Sequence, residues 1–196
     1  MSFVVVGLGN PGEEYTNTRH NTGRMAVESF ARTCEEVNWK QNAKAKATVT
    51  KAVCDGTSVM LVLPDTFMNK SGLAVMAYVK SVNAAAQLVV VYDDLDLPLG
   101  VIKISFDRGS GGHKGIESIA RTLKTKAFVR IRVGVSPSTA GGKLKKPSGE
   151  DDVVDFILGK FKPSEAEALK QLFKKTNEAL HTIVTKGYVA AMNACN

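Results

Sequence analysis

Three kinds of hydrophobic spacing divide this chain. Continuous β-branched runs at 3–6 and 88–92 read as strands buried on both faces, and the second, the more apolar, is expected at the sheet centre. Residues 43–53 alternate small or apolar positions with Lys and Thr, as a strand with one wet face does, and 58–63 returns through an Asp55-Gly56 turn. Two further strands are expected at 101–106 and 128–135. Helical spacing places Val27, Phe30, Ala31 and Cys34 on one face of a helix over 23–36, and other helices around Leu73, Met76, Ala77 and Val79 and over 116–123. A last helix starts at a capping box, Ser164 to Glu167, behind Pro163, with Leu169, Leu172, Phe173, Leu180, Ile183 and Val184 as its apolar face. Strands and helices in this order predict one α/β domain over 1–196, a three-layer sandwich with a mixed twisted sheet, and no repeat or linker interrupts it. Residues 136–150, rich in Gly, Pro, Ser and Lys, are expected to form a mobile surface loop.

Composition narrows the class. The 196 residues are 44% hydrophobic, enough for a sizeable core. No run reaches the roughly 18 apolar residues of a membrane span, and no leader peptide is legible, so a cytoplasmic protein without membrane contact is expected. Three cysteines with no C-x-x-C spacing fit reduced thiols. The net charge of +7 suits a polyanionic partner, nucleic acid before membrane, and equally a merely basic soluble protein.

The candidate chemistry sits where strands end. After the first strand come Gly7-Leu-Gly-Asn-Pro-Gly12, Tyr15 and Arg19-His20-Asn21. The glycines match G-x-G-x-x-G, but Pro11 removes an N–H, Glu13 and Glu14 would meet a pyrophosphate, and no helix opens there, so a nucleotide cofactor is disfavoured. Other strand-end loops carry Met68 with Asn69, Asp93 with Asp94, and a glycine-rich stretch containing Gly111 and His113. A histidine beside a carboxylate is a general-base arrangement, and uncharged carboxamides such as Asn10 and Asn69 suit a carbonyl or a developing oxyanion. No nucleophile elbow accompanies Ser71 or Ser110, so water would be the attacking species. A metal held by His20, Asp93, Asp94, Asp96 and His113 is the competing reading, disfavoured for want of ligand spacing. Each residue also has a plainer reading: a core or surface histidine, a turn aspartate, a helix-capping asparagine. Phe67 and Met68 cannot both face one core; they cap the sheet or line a groove.

Several blocks in register then carry a resemblance. Gly7-x-Gly-Asn-Pro-Gly12, Tyr15, Thr18-Arg-His-Asn21-x-Gly23, Thr66-Phe-Met-Asn69-x-Ser-Gly72, Asp93-Asp-Leu-Asp-Leu-Pro98-x-Gly100, Gly111-Gly-His113-x-Gly115 and Ala191-Met-Asn193 resemble the bacterial-type peptidyl-tRNA hydrolases over nearly the whole chain. The resemblance implies a metal- and cofactor-independent, monomeric esterase that frees tRNA from an N-blocked peptide. It implies His20 as base, Asp93 as the group that holds it and polarises water, and Asn10 and Asn69 positioning carbonyl and water. Tyr15, Asn21, Phe67, Met68, Gly111, His113 and Lys114 are then substrate contacts. Lys103, Arg130 and Arg132, the last two on one strand face, are expected to hold tRNA phosphates. Lys114 and Tyr92 depart from the family, which commonly has asparagine at the first position and often histidine at the second. The alternative is a non-catalytic, splicing-factor-like RNA binder on the same fold.

Overall fold

A computed structural model describes residues 3–139 and 141–196. Its frame is one sheet in the order β2-β3-β4-β1-β5-β7-β6. The strands are β1 Phe3–Gly7, β2 Lys40–Asn42, β3 Ala47–Cys54, β4 Thr57–Pro64, β5 Leu88–Pro98, β6 Ile102–Phe106 and β7 Val129–Ser136. The inner strands β4, β1, β5 and β7 run parallel, and the outer pairings are antiparallel. Strand β5 is buried on both faces, as its unbroken apolar run requires: Val89 and Val91 join one core, Leu88, Val90 and Tyr92 the other.

Helices α1 Thr22–Ala31, α5 Ala166–Lys186 and α6 Tyr188–Cys195 cover the first face, and α2 Ser71–Val75 and α3 Lys114–Leu123 the second. This is the expected three-layer mixed sandwich. Gly23 lets α1 press against β5 and the end of β1, because a Cβ there would collide with the Val91 carbonyl oxygen and the Leu8 backbone. The Asp55-Gly56 turn has positive φ at both residues, 48° and 73°, the geometry of a two-residue hairpin. Since the inner strands are parallel, their carboxyl ends share one edge, where Brändén's rule places a ligand.

Several expectations need correction. Cys34 and Cys54 form a disulfide, not free thiols. A local bridge between Glu35 and Val53 lays the chain after α1 along the end of β3, and so joins two cysteines twenty residues apart. The helix expected over 23–36 stops at Ala31, and α2 at Val75. The Ser164–Glu167 box does not form: α5 starts at Ala166 after a 3₁₀ turn. Glu165 instead accepts from the Lys162 N–H at 2.7 Å and binds Arg19 at 2.8 Å. An unforeseen helix, α4 Glu150–Leu158, begins at the end of the stretch expected as a mobile loop, of which residue 140 lies outside the described residues. Its acidic first turn, Glu150 to Asp152, and its apolar Val153, Val154 and Ile157 were legible signals for it.

Candidate active site

Asp93, at the carboxyl end of the most buried strand run, stands between two histidines. His20 Nδ1 lies 3.0 Å from Asp93 Oδ2, and His113 Nε2 lies 3.0 Å from Oδ1. The tautomers follow from the second contacts. His113 is the N-cap of α3, and its Nδ1 accepts N–H groups from Gly115 and Ile116 at 3.2 and 3.4 Å. That nitrogen is therefore unprotonated, so Nε2 carries the hydrogen given to Asp93. His20 likewise donates from Nδ1, which leaves Nε2 free to accept a proton.

The three ligand atoms lie within 4.8 Å of one another, as a metal site would have them. However, both nitrogens facing Asp93 are N–H donors at hydrogen-bond distance, and His113 spends its other nitrogen on the helix. The residues present satisfy one another by hydrogen bonding.

The electrostatics reinforce this arrangement. Burial alone would push His20 down, but the Asp93 charge and its hydrogen bond hold it above the ordinary imidazole value. Burial would push Asp93 up, yet the charges and hydrogen bonds of His20 and His113 keep it well below the carboxylate range. Tyr92 lies edge-on to His113, with ring centroids 4.8 Å apart. Burial, then Asp94, pushes its hydroxyl up to about 12, so it stays neutral and does no proton transfer near pH 7.

A cavity of about 740 Å³ opens over His20, Asp93 and His113. Gly111, Lys114, Lys146, Val153, Val154 and Ile157 line it, so α4 forms a wall of the site that sequence reasoning missed. Arg19, buried between the rings of Phe156 and Phe161 at 4.7 and 4.6 Å, ties α4 to the His20 loop. Gly111 and Gly112 reach His113 through positive φ, 61° and 81°.

The asparagines divide. Asn10 is fixed by three contacts: its N–H to Asn21 Oδ1 (2.8 Å), its carbonyl from Asn21 Nδ2 (2.9 Å), and its Oδ1 from the Met68 N–H (2.8 Å). Among the described residues its side-chain NH2 has no protein acceptor. Asn21 is thus a strut for Asn10 with both ends engaged, not an open substrate contact. Asn69, the residue after Met68, is exposed. Met68 is a correction to the groove reading: it is 4% exposed and packs into the second core, while Phe67 is 56% exposed and meets Tyr15 edge-on at 6.4 Å. Asn10, Tyr15, Phe67 and Asn69 lie outside the residues lining the His20 cavity, and Asn10 borders a separate polar hollow with Glu13, Arg24 and Asp65.

The expected phosphate residues also part company. Lys103 and Arg132 sit opposite each other on β6 and β7 and face a second cavity, which shares Tyr92, Asp94, Ser110 and Gly111 with the first. Arg132 Nε is held by Asp94 at 2.6 Å. Arg130 does not project to solvent. It is 1% exposed over the Phe128 ring, because β7 lies inside the sheet, and it donates to the carbonyls of Arg108, Gly109 and Lys126. A phosphate contact from Arg130 is therefore withdrawn.

The sequence profile of the family described as peptidyl-tRNA hydrolase matches residues 4–196. A peptidyl-tRNA hydrolase of Herpetosiphon aurantiacus is 39% identical, covering 99% of this chain and 90% of its own. One from Aquifex aeolicus is 37% identical, covering 98% and 95%. The crystal structure of the peptidyl-tRNA hydrolase of Acinetobacter baumannii superposes with a TM-score of 0.86 at 30% identity, covering 100% of this chain and 94% of that one. With profile, sequence and fold in agreement along its length, this chain belongs to the peptidyl-tRNA hydrolase family.

Proposed function

We propose that this protein hydrolyses the ester joining a peptide to the terminal ribose of its tRNA, with His20 as general base. One observation carries the reading: Asp93 holds two imidazole N–H groups, and of the two only His20 keeps a nitrogen without a partner among the described residues, beside a cavity. Nε2 of His20 takes a proton from water as the oxygen attacks the ester carbonyl carbon. The C=O pair moves onto oxygen, and the uncharged carboxamides of Asn10 and Asn69, from beyond the cavity lining, are the groups we assign to the peptide carbonyl and water. As the tetrahedral species collapses, the ribose oxygen leaves with the proton returned by the His20 imidazolium. Asp93 stabilises that imidazolium. Tyr15 and Phe67 offer aromatic faces to the peptide side or the terminal base, and Lys114, Gly111 and His113 border the cavity.

One chain supplies every group, so we propose a monomer, acting in the cytoplasm where its substrate is made. No described helix is long and apolar enough to cross a membrane. A pure RNA binder on this fold is disfavoured, because binding has no use for a histidine whose tautomer is set by a buried carboxylate. Purified protein should release N-acetylaminoacyl groups from tRNA in the presence of EDTA. No release, with tRNA binding intact, would support the binder instead.

A further inference from the structure

A third cavity, of about 650 Å³, lies behind the glycine-rich loop. Ser110 lines it and also lines both cavities described above. Around its mouth stand Arg108 from the loop, Arg121 from the last turn of α3, and Lys124 and Lys126 from the turn beyond. All four are exposed, and among the described residues none takes part in an ion pair. Buried Arg130 reaches the same cavity and braces the carbonyls of Arg108 and Gly109 from below. Two carboxylates face these five cations: Asp107, and Glu117, which accepts from the Ser110 hydroxyl at 3.1 Å. The excess of positive charge is unneutralised.

We infer that this basic hollow, not the buried face of β7, holds backbone phosphates of the tRNA body while the ester end lies over His20. The identity of the ligand rests on the esterase reading. Three features favour a chain of phosphates over one small anion. The cations come from three successive segments and ring an open mouth, so they do not converge on a point. They are long, solvated side chains that displace counterions along a polyanion. The wall at Ser110 is shared with the catalytic cavity, so one ligand can occupy both. The Asp94–Arg132 pair adds weight, since Arg132 already spends its Nε hydrogen on a carboxylate.

The test is the salt dependence of binding between the full-length protein and deacylated tRNA, read by fluorescence anisotropy over a range of KCl. The double variants Arg108→Gln/Arg121→Gln and Lys124→Gln/Lys126→Gln should each flatten the plot of log K against log salt by about 1.5 to 2 units, and weaken Kd by on the order of tenfold or more at low salt. Lys124→Arg/Lys126→Arg should keep the wild-type slope. Lys40→Gln/Lys51→Gln removes the same charge from exposed positions at the opposite edge of the sheet and should also keep it. Unchanged slopes in the first two variants, or equal flattening by the distant pair, would overturn the site. If the slopes flatten but the wild type releases no peptide, the hollow stands and the esterase reading falls. If peptide is released and the slopes do not move, the reverse holds.

Discussion

Besides the His113–Asp93 contact, the described residues hold two histidine–aspartate pairs at similar separations, and only one of these two leaves a ring nitrogen free beside a cavity. His20 and Asp93 are 3.0 Å apart with side chains 10% and 3% exposed. His181 and Asp55 are 2.6 Å apart with side chains 26% and 55% exposed. In the second pair both imidazole nitrogens are occupied, Nδ1 by Asp55 and Nε2 by Thr33 at 2.9 Å. The Thr33 hydroxyl gives its own hydrogen to the Phe30 carbonyl, so no nucleophile or free base remains. In the first pair, His113 takes half of the carboxylate and leaves His20 Nε2 free beside a cavity. The difference teaches that a His–carboxylate distance says little by itself. What matters is which nitrogen is left over, and whether water screens the pair.

The largest expected effect breaks the first pair. His20→Ala should lower kcat for peptidyl-tRNA cleavage by about 10²–10⁴-fold with tRNA binding retained. Activity within a few-fold of wild type would put His20 on the same footing as His181.

Asp93→Asn should cost less, about 10²-fold, and should also move the pH profile. The base works only when neutral, so activity rises with pH through a His20 pKa that Asp93 holds above 6.5. Without that charge, burial dominates and the acid limb should shift to lower pH. A profile that stays in place would show that Asp93 does not set the base.

The remote pair sits in a stapled region, since Cys34 follows Thr33 and Cys54 precedes Asp55. Cys34→Ser/Cys54→Ser should therefore cost stability, about 3 kcal/mol for a loop of this length in the chain-entropy model, with kcat within twofold. Urea unfolding measures the first and steady-state kinetics the second. A large loss of kcat at unchanged stability would join the two regions functionally.

The smallest effect should come from His181→Ala. A partly exposed surface pair of this kind contributes about 0–1 kcal/mol, so its melting curve and turnover should both stay close to wild type. A drop in kcat comparable to that of Asp93→Asn would erase the distinction.

Much of the site was legible because its residues lie in dense local blocks. His20 follows glycines at a strand end, Asp93 ends the most apolar run, and His113 stands between glycines, so all three mark the edge where inner strands finish. Other roles were not legible. Met68 and Phe67 are neighbours of similar hydrophobicity, and only packing against Leu8 and Gly115 assigns one to the core and the other to solvent. Arg130 and Arg132 share a strand face, but β7 is flanked on both sides, so one guanidinium is folded under a loop and the other meets Asp94. Asn21 belongs to a motif block, yet both ends of its carboxamide are spent on Asn10.

By itself, then, the sequence determined the alternation of strands and helices, the two-faced burial of β5, the hairpin at Asp55-Gly56 and the residues gathered at the strand ends. These depend on periodicity and backbone sterics, which act between near neighbours along the chain. Only the tertiary structure decided the Cys34–Cys54 link, the α4 wall over the cavity, the burial of Arg130 and the sharing of Asp93 between two histidines. Each of these is a meeting of groups far apart in sequence. Such meetings depend on which side of a strand is covered, and on which hydrogen bonds are already taken when the partners arrive.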